Sequence, residues 1–239
     1  MTGTSLSGFA PPVPIVALDV ASLDEARALV NALGPRAAAY KVGLQLFTAE
    51  GPRAVGWLRD EGKRVFLDLK LHDIPSTVAR AAEGARRLGA SLLTVHGLGG
   101  RMMVRAAVDA AGDETGVLVV TVLTSLDLAA VSAAVGRPLE SVREEVLRLA
   151  ATARAEGAHG VVCAAAECAA VRNAHGDHLR PLVPGIRPAG ADVGDQARVA
   201  TAAEAARAGA AFVVVGRAIT GAADPAAAFD RVLAELRTP

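Results

Sequence analysis

Phe66-Leu-Asp-Leu-Lys-Leu-His-Asp-Ile-Pro-Ser-Thr77 reads as a strand running directly into a helix. Residues 65–69 are a short, largely apolar run suited to a pleated surface, and Pro75 stands where a first helical turn tolerates a residue without an N–H. Within the run Asp68 and Lys70 lie two residues apart, so strand alternation puts both on one face, with Asp73 just beyond.

The same unit recurs along the chain. Apolar runs return about every 25 to 35 residues, each followed by an Ala/Arg/Glu-rich segment with helical spacing. Eight strands are expected, at 13–19, 38–42, 65–69, 91–96, 117–123, 160–163, 182–183 and 211–215. The seventh is the weakest pattern, because Pro181 and Pro184 flank it. Ser22 ahead of Leu23-Asp-Glu25 forms a capping box, and Pro75, Pro138 and Pro225 mark further helix starts. Gly34, Gly89, Gly112, Gly157 and Gly209 stand where helices should end. Eight successive βα units that close on themselves make a single (β/α)8 TIM barrel, an α/β fold of about 250 residues. The 239 residues fit one such domain, 13–239, preceded by a loose tail at 1–12.

Composition agrees and narrows the function classes. The chain is 52% hydrophobic but only 3% aromatic, so the core is aliphatic. Acidic and basic residues balance at 25 each without long blocks of either sign, which gives no field for a nucleic acid or an anionic membrane. No apolar run reaches the roughly 18 residues of a transmembrane helix, and 1–12 lacks the features of a signal peptide; the expected location is cytoplasmic. Cys163 and Cys168 have no cluster of further ligands and are read as buried or incidental.

In such barrels the active site lies at the C-terminal ends of the strands. That rule selects Asp19, Lys41, Asp68, Lys70, His96, Thr124, the segment Pro184-Gly-Ile-Arg187, and Gly216-Arg217. Lys41 on the second strand would stand beside Asp68 and Lys70 on the third, giving an alternating array of ammonium and carboxylate groups. Structural salt bridges are the plainer reading of such an array. Lysine usage argues against it: only Lys41, Lys63 and Lys70 occur among the 25 basic residues, and two of the three fall here. Arginine serves an ion pair as well, but only an ammonium gives up a proton near neutral pH, so the pattern points to proton transfer. Lys63, in a turn, is read as a solvated charge.

The loops after the last two strands are rich in glycine. Pro184 to Gln196 is long enough to fold over a ligand, and Val215-Gly-Arg-Ala-Ile-Thr220 opens a short helix with backbone amides accessible to an anion. This is the usual phosphate site of the barrel; Arg217 would pair with phosphate bidentately and Gln196 would close the loop.

The motifs Ala17-Leu-Asp19, Lys41-Val-Gly43, Phe66 to Thr77, Val122-Leu-Thr-Ser125, Pro184-Gly-Ile-Arg187, Gly194-Asp-Gln196 and Val214-Val-Gly-Arg217 together resemble the orotidine 5′-monophosphate decarboxylase family over nearly the whole chain. The resemblance implies decarboxylation of orotidine 5′-monophosphate to UMP and CO2 without metal or organic cofactor. It implies that Asp19 and Lys41 bind the ribose hydroxyls, that Asp68 faces the substrate carboxylate and that Lys70 is the proton donor. Thr124 and Ser125 would lie at the pyrimidine edge, and Gln196, Gly216 and Arg217 would hold the phosphate. Pro184 and Arg187 would belong to the substrate-binding loop. A homodimer is implied, with Asp73 and Thr77 reaching into the partner's site. Ser76 and Val183 depart from the residues many bacterial relatives carry, Asn and Thr, and neither removes a group the chemistry needs.

Two rivals remain at this stage. One is a Mg-dependent phosphosugar decarboxylase or aldolase of the same superfamily, in which an acidic residue is expected at the place of Lys41. The other is a barrel that binds nucleotides without chemistry. His96 is expected to support the site by hydrogen bonding, His72 to point away from Lys70, and His159, His175 and His178 to lie on the surface. Tyr40 and Trp57 are read as packing residues.

Overall fold

A computed structural model describes residues 12–188 and 198–237. Its centre is a closed barrel of eight parallel strands in sequence order. These are β1 (Val13–Ala17), β2 (Ala39–Gly43), β3 (Arg64–Leu71), β4 (Leu92–His96), β5 (Gly116–Val120), β6 (Gly160–Val162), β7 (Arg180–Val183) and β8 (Phe212–Val215). The principal outer helices are α1 (Leu23–Leu33), α2 (Leu44–Glu50), α3 (Pro52–Asp60), α4 (Pro75–Arg87), α5 (Gly100–Ala111), α6 (Leu128–Val135) and α7 (Val142–Ala155). They continue with α8 (Ala165–His175), α9 (Ala202–Arg207), α10 (Arg217–Thr220) and α11 (Pro225–Arg237). Among the described residues no helix is long and apolar enough to cross a membrane.

Strand alternation divides the core in two. Val13, Ile15, Ala39, Phe66, Leu92 and Phe212 belong to the cluster filling the barrel interior. Val16, Tyr40, Val65, Leu67, Leu93 and Val213 belong to the larger layer between sheet and helices. Following the inward rows upward by twos leads from Ala17 to Asp19, from Ala39 to Lys41, from Phe66 to Asp68, and from Val214 to Gly216. The apolar floor of the barrel thus gives way to polar groups at the C-terminal rim.

Several expectations about detail are corrected. β7 is a full strand that contains Pro181, paired in register with Val161; its carbonyl still accepts from Ala211 N at 2.8 Å, so the proline removes one donor without breaking the barrel. Pro138 does not start a helix: Ser141 caps α7, its side chain accepting from Glu144 N. Lys63 is a clamp and not a solvated charge, since its Nζ donates to the carbonyls of Gly34 and Ala37 at 2.9 and 3.0 Å. Both cysteines are buried.

His159 is only partly exposed. It is packed at the N-terminal end of the barrel against Phe212, with ring centroids 6.2 Å apart, and its buried Nε2 has no hydrogen-bond partner among the described residues. Burial, aided by the charge of Arg180, pushes its imidazole down to about 4. In the unfolded chain the same ring titrates near 6.5. Between these two values the unfolded state binds more protons, so this group's stabilisation is present above pH 6.5 and is lost as pH falls towards 4. Lowering the pH from 7.5 to 5 should cost the native protein roughly 2 kcal/mol through this group alone. Urea unfolding of the wild type and of His159→Leu at both pH values checks this: the variant's stability should fall less by that amount, and an equal fall in both would sink the assignment.

Candidate active site

The C-terminal mouth of the barrel holds a cavity of about 510 Å³. Asp19, Lys41, Asp68 and Lys70 stand together in its wall. Lys41 Nζ donates to Asp19 Oδ1 at 2.7 Å and lies 3.8 Å from Asp68 Oδ2. Lys70 Nζ donates to both Asp68 oxygens, at 2.9 and 3.0 Å. Carboxylate and ammonium therefore alternate across three strands, and each like-charged pair is separated by an opposite charge. Lys41 is almost buried, with its side chain 10% exposed, whereas that of Lys70 is 34% exposed and faces the space a ligand would enter. Gly43 makes the first pair possible: a Cβ there would stand 2.6 Å from Lys41 Nζ and 2.9 Å from Asp19 Oδ1.

Asp68 and Lys70 meet as expected, but not by regular alternation. From Leu67 opposite Leu93, the ladder jumps to Leu71 opposite Val95. Three residues of β3 thus face Thr94 alone, and Lys70 is the one non-glycine among the described residues with a left-handed backbone, φ 49°. That conformation costs a residue bearing Cβ roughly 1–2 kcal/mol. The bulge also changes the neighbourhood of His72, whose ring stacks on His96 with centroids 5.4 Å apart. His96 accepts from Leu98 N through Nδ1, and burial first, then the charges of His72 and Lys70, lower its pKa. It is absent from the cavity wall.

The other selected residues divide into three groups. Thr124 and Ser125 line the cavity beyond β5, although β5 itself ends earlier than expected, at Val120. Pro184, Gly185, Arg187, Gly216 and Arg217, which follow β7 and β8, complete the lining. The base of the Pro184 loop is tied by a bridge between Ile186 and Ala200 and by Arg187 N donating to Ala200 O at 2.9 Å. Asp73 and Thr77 are exposed and lie outside the cavity wall, so within one chain Asp73 does not join the array. Its Oδ1 accepts from Ile74 N at 2.6 Å at the entry to α4. Gln196 and the tail at 1–11 lie outside the described residues.

Gln45 and Thr220 line the cavity without having been singled out from the sequence. Arg198 was also missed: it pairs with buried Glu167 at 2.8 Å and donates to Leu123 O at 3.2 Å, joining the segments that follow β5, β6 and β7. Glycine spacing and charge count do not distinguish these residues from ordinary surface polar groups.

With this geometry in place, the chain can be compared with known proteins. Residues 12–232 match the model of the family described as orotidine 5′-phosphate decarboxylase / HUMPS. The chain belongs to that family. A protein of Anaeromyxobacter dehalogenans named orotidine 5′-phosphate decarboxylase is 54% identical over 221 residues, covering 92% of this chain and 96% of the relative. One of the same name from Moorella thermoacetica is 48% identical over 230 residues, covering 93% and 91%. The crystal structure of orotidine 5′-phosphate decarboxylase from Lactobacillus acidophilus superimposes with a TM-score of 0.83 at 36% identity, covering 95% of this chain and 99% of that one. The decarboxylase family's barrel is therefore the fold of this chain.

Proposed function

We propose that this enzyme converts orotidine 5′-monophosphate to UMP and CO2, the closing step of pyrimidine nucleotide synthesis, with no metal or organic cofactor. The observation that carries the reading is the unbroken chain Asp19, Lys41, Asp68, Lys70 in the wall of a cavity that Gly216 and Arg217 also line. Family membership and the names of the relatives support the same substrate.

The chemistry asks for an ammonium at one carbon. Breaking the bond between C6 and the carboxyl group leaves an electron pair on C6 with little help from the ring, and roughly 20 kcal/mol of differential stabilisation is needed. Asp68, close to the departing carboxylate, disfavours the bound ground state, while the Lys70 ammonium stabilises the developing carbanion. As CO2 leaves, Lys70 transfers its proton to C6, giving UMP and a neutral amine that is reprotonated from solvent. Asp19 and Lys41 hold the ribose hydroxyls, Thr124 and Ser125 the pyrimidine edge, and Gly216, Arg217 and Gln196 the phosphate, with Pro184 and Arg187 in the loop beside it. A homodimer accounts for Asp73 and Thr77: both are exposed, and Ile74 between them presents an apolar side chain 64% exposed, a surface suited to a second copy. The balanced charge gives no reason to add nucleic acid or membrane, and the enzyme would act in the cytoplasm.

Lys41 Nζ lies 2.7 Å from Asp19 and 3.8 Å from Asp68, filling the space between the two carboxylates that a divalent cation would need. That is the argument against a magnesium-dependent phosphosugar enzyme. The loss of ultraviolet absorbance of orotidine 5′-monophosphate should proceed at an unchanged rate after dialysis against EDTA. Loss of activity restored by Mg²⁺ favours the metal-dependent rival, and tight UMP binding without any absorbance change favours a non-catalytic nucleotide binder.

A further inference from the structure

Thr94 sits on β4 opposite the bulge, completely buried. Its hydroxyl occupies two places in the array: it donates to Asp68 Oδ1 at 2.9 Å and accepts from the backbone N of Lys70, also at 2.9 Å. Two other buried threonines behave differently, since Thr115 and Thr121 give their protons to the carbonyls of Ala90 and Val162. The bulge explains the need. Where β3 spends three residues against one, the Lys70 N–H loses its place in the ladder, and a side-chain acceptor replaces the missing carbonyl. The same oxygen then has one proton to donate, and the partly buried carboxylate beside it accepts that hydrogen bond.

We infer that Thr94 is a positioning residue: its hydroxyl fixes the left-handed turn at Lys70 and one oxygen of Asp68, so the ammonium is held over the reacting carbon before substrate arrives. The inference rests on the function proposed above only for its kinetic consequence. Its structural content, that the hydroxyl sets the conformation of Lys70, is independent of the reaction. A misplacement of about 1 Å can cost 10²-fold in rate, so a group that sets the lysine's backbone matters without touching substrate.

Thr94→Val keeps the shape and removes both hydrogen bonds; Thr94→Ser keeps both. For orotidine 5′-monophosphate, Thr94→Val should lose about 10- to 100-fold in kcat with KM within about twofold. Thr94→Ser should stay within about threefold of the wild type. If Thr94→Val does not fold, Thr94→Ala supplies the same comparison. A Thr94→Val enzyme with kcat within twofold of the wild type overturns the inference, as does an equal loss in Thr94→Ser or a loss confined to KM. Crystal structures separate this from the functional reading: without the hydroxyl, Lys70 should leave positive φ and Nζ should leave Asp68. Were the wild type inert towards the nucleotide, the functional reading would fall, and the crystal structures alone would decide the role of Thr94. An unmoved Lys70 in Thr94→Val overturns it.

Discussion

Replacing Lys70 by alanine should abolish decarboxylation while leaving a folded barrel that still binds UMP. The side chain is one-third exposed and, among the described residues, its amine pairs with the carboxylate of Asp68 alone, so little packing depends on it. Asp68 keeps the hydroxyl of Thr94 and the charge of Lys41, and its negative charge therefore remains compensated. The chemical loss is much larger. A general acid contributes about 10²- to 10⁴-fold and a preorganised charge at the developing anion about 10²- to 10³-fold; if Lys70 does both, kcat should fall by at least about 10⁴-fold. Lys70→Arg separates the two roles, because a guanidinium keeps the charge but does not yield a proton near neutral pH. It should remain close to inactive. Single-turnover absorbance traces on both variants, with UMP titration to verify the fold, make the measurement. A Lys70→Ala enzyme with near-normal kcat refutes the assigned proton donor.

How much of this was readable from the sequence depends on which physical rule each residue obeys. The inward rows of β1, β2, β3 and β8 keep a period of two up to the rim, so Asp19, Lys41, Asp68 and Gly216 could be placed from spacing alone. The run Phe66 to His72 alternates just as regularly, and there alternation misled: nothing in it announces that β3 bulges at Lys70. A backbone dihedral set by a hydroxyl on the neighbouring strand has no signature in either strand. Thr94 was invisible for that reason, since threonine is an ordinary strand former. Lys63 and His159 were misread in the same way. Each follows a glycine-containing turn and looks solvent-facing in sequence, but the partners that partly cover it, the carbonyls of Gly34 and Ala37 for one and the ring of Phe212 for the other, come from distant segments. Lysine scarcity carried further than any of these patterns, because it separates a residue chosen for its proton from one chosen for its charge.

The second large effect concerns the far end of the ligand. Arg217 follows β8, lies on the cavity wall, and is exposed, so its loss should not destabilise the barrel. Charge-assisted hydrogen bonds contribute about 1.5–3 kcal/mol, and a bidentate guanidinium on phosphate lies at the upper end of that range. Arg217→Ala should therefore raise KM for orotidine 5′-monophosphate about 10²-fold. The decisive comparison uses orotidine, the same nucleoside without its phosphate. If Arg217 acts on the phosphate, the variant and the wild type should process orotidine at equal kcat/KM, because neither has a partner for the missing group. If the binding energy of the phosphate also drives the site closed around the pyrimidine, part of the loss on the nucleotide will appear in kcat. An equal penalty on both substrates would place Arg217 at the sugar or the base and move the phosphate to another part of the rim. The wall where Lys70 stands would then have to be reassigned with it, because one cavity holds both ends of the substrate.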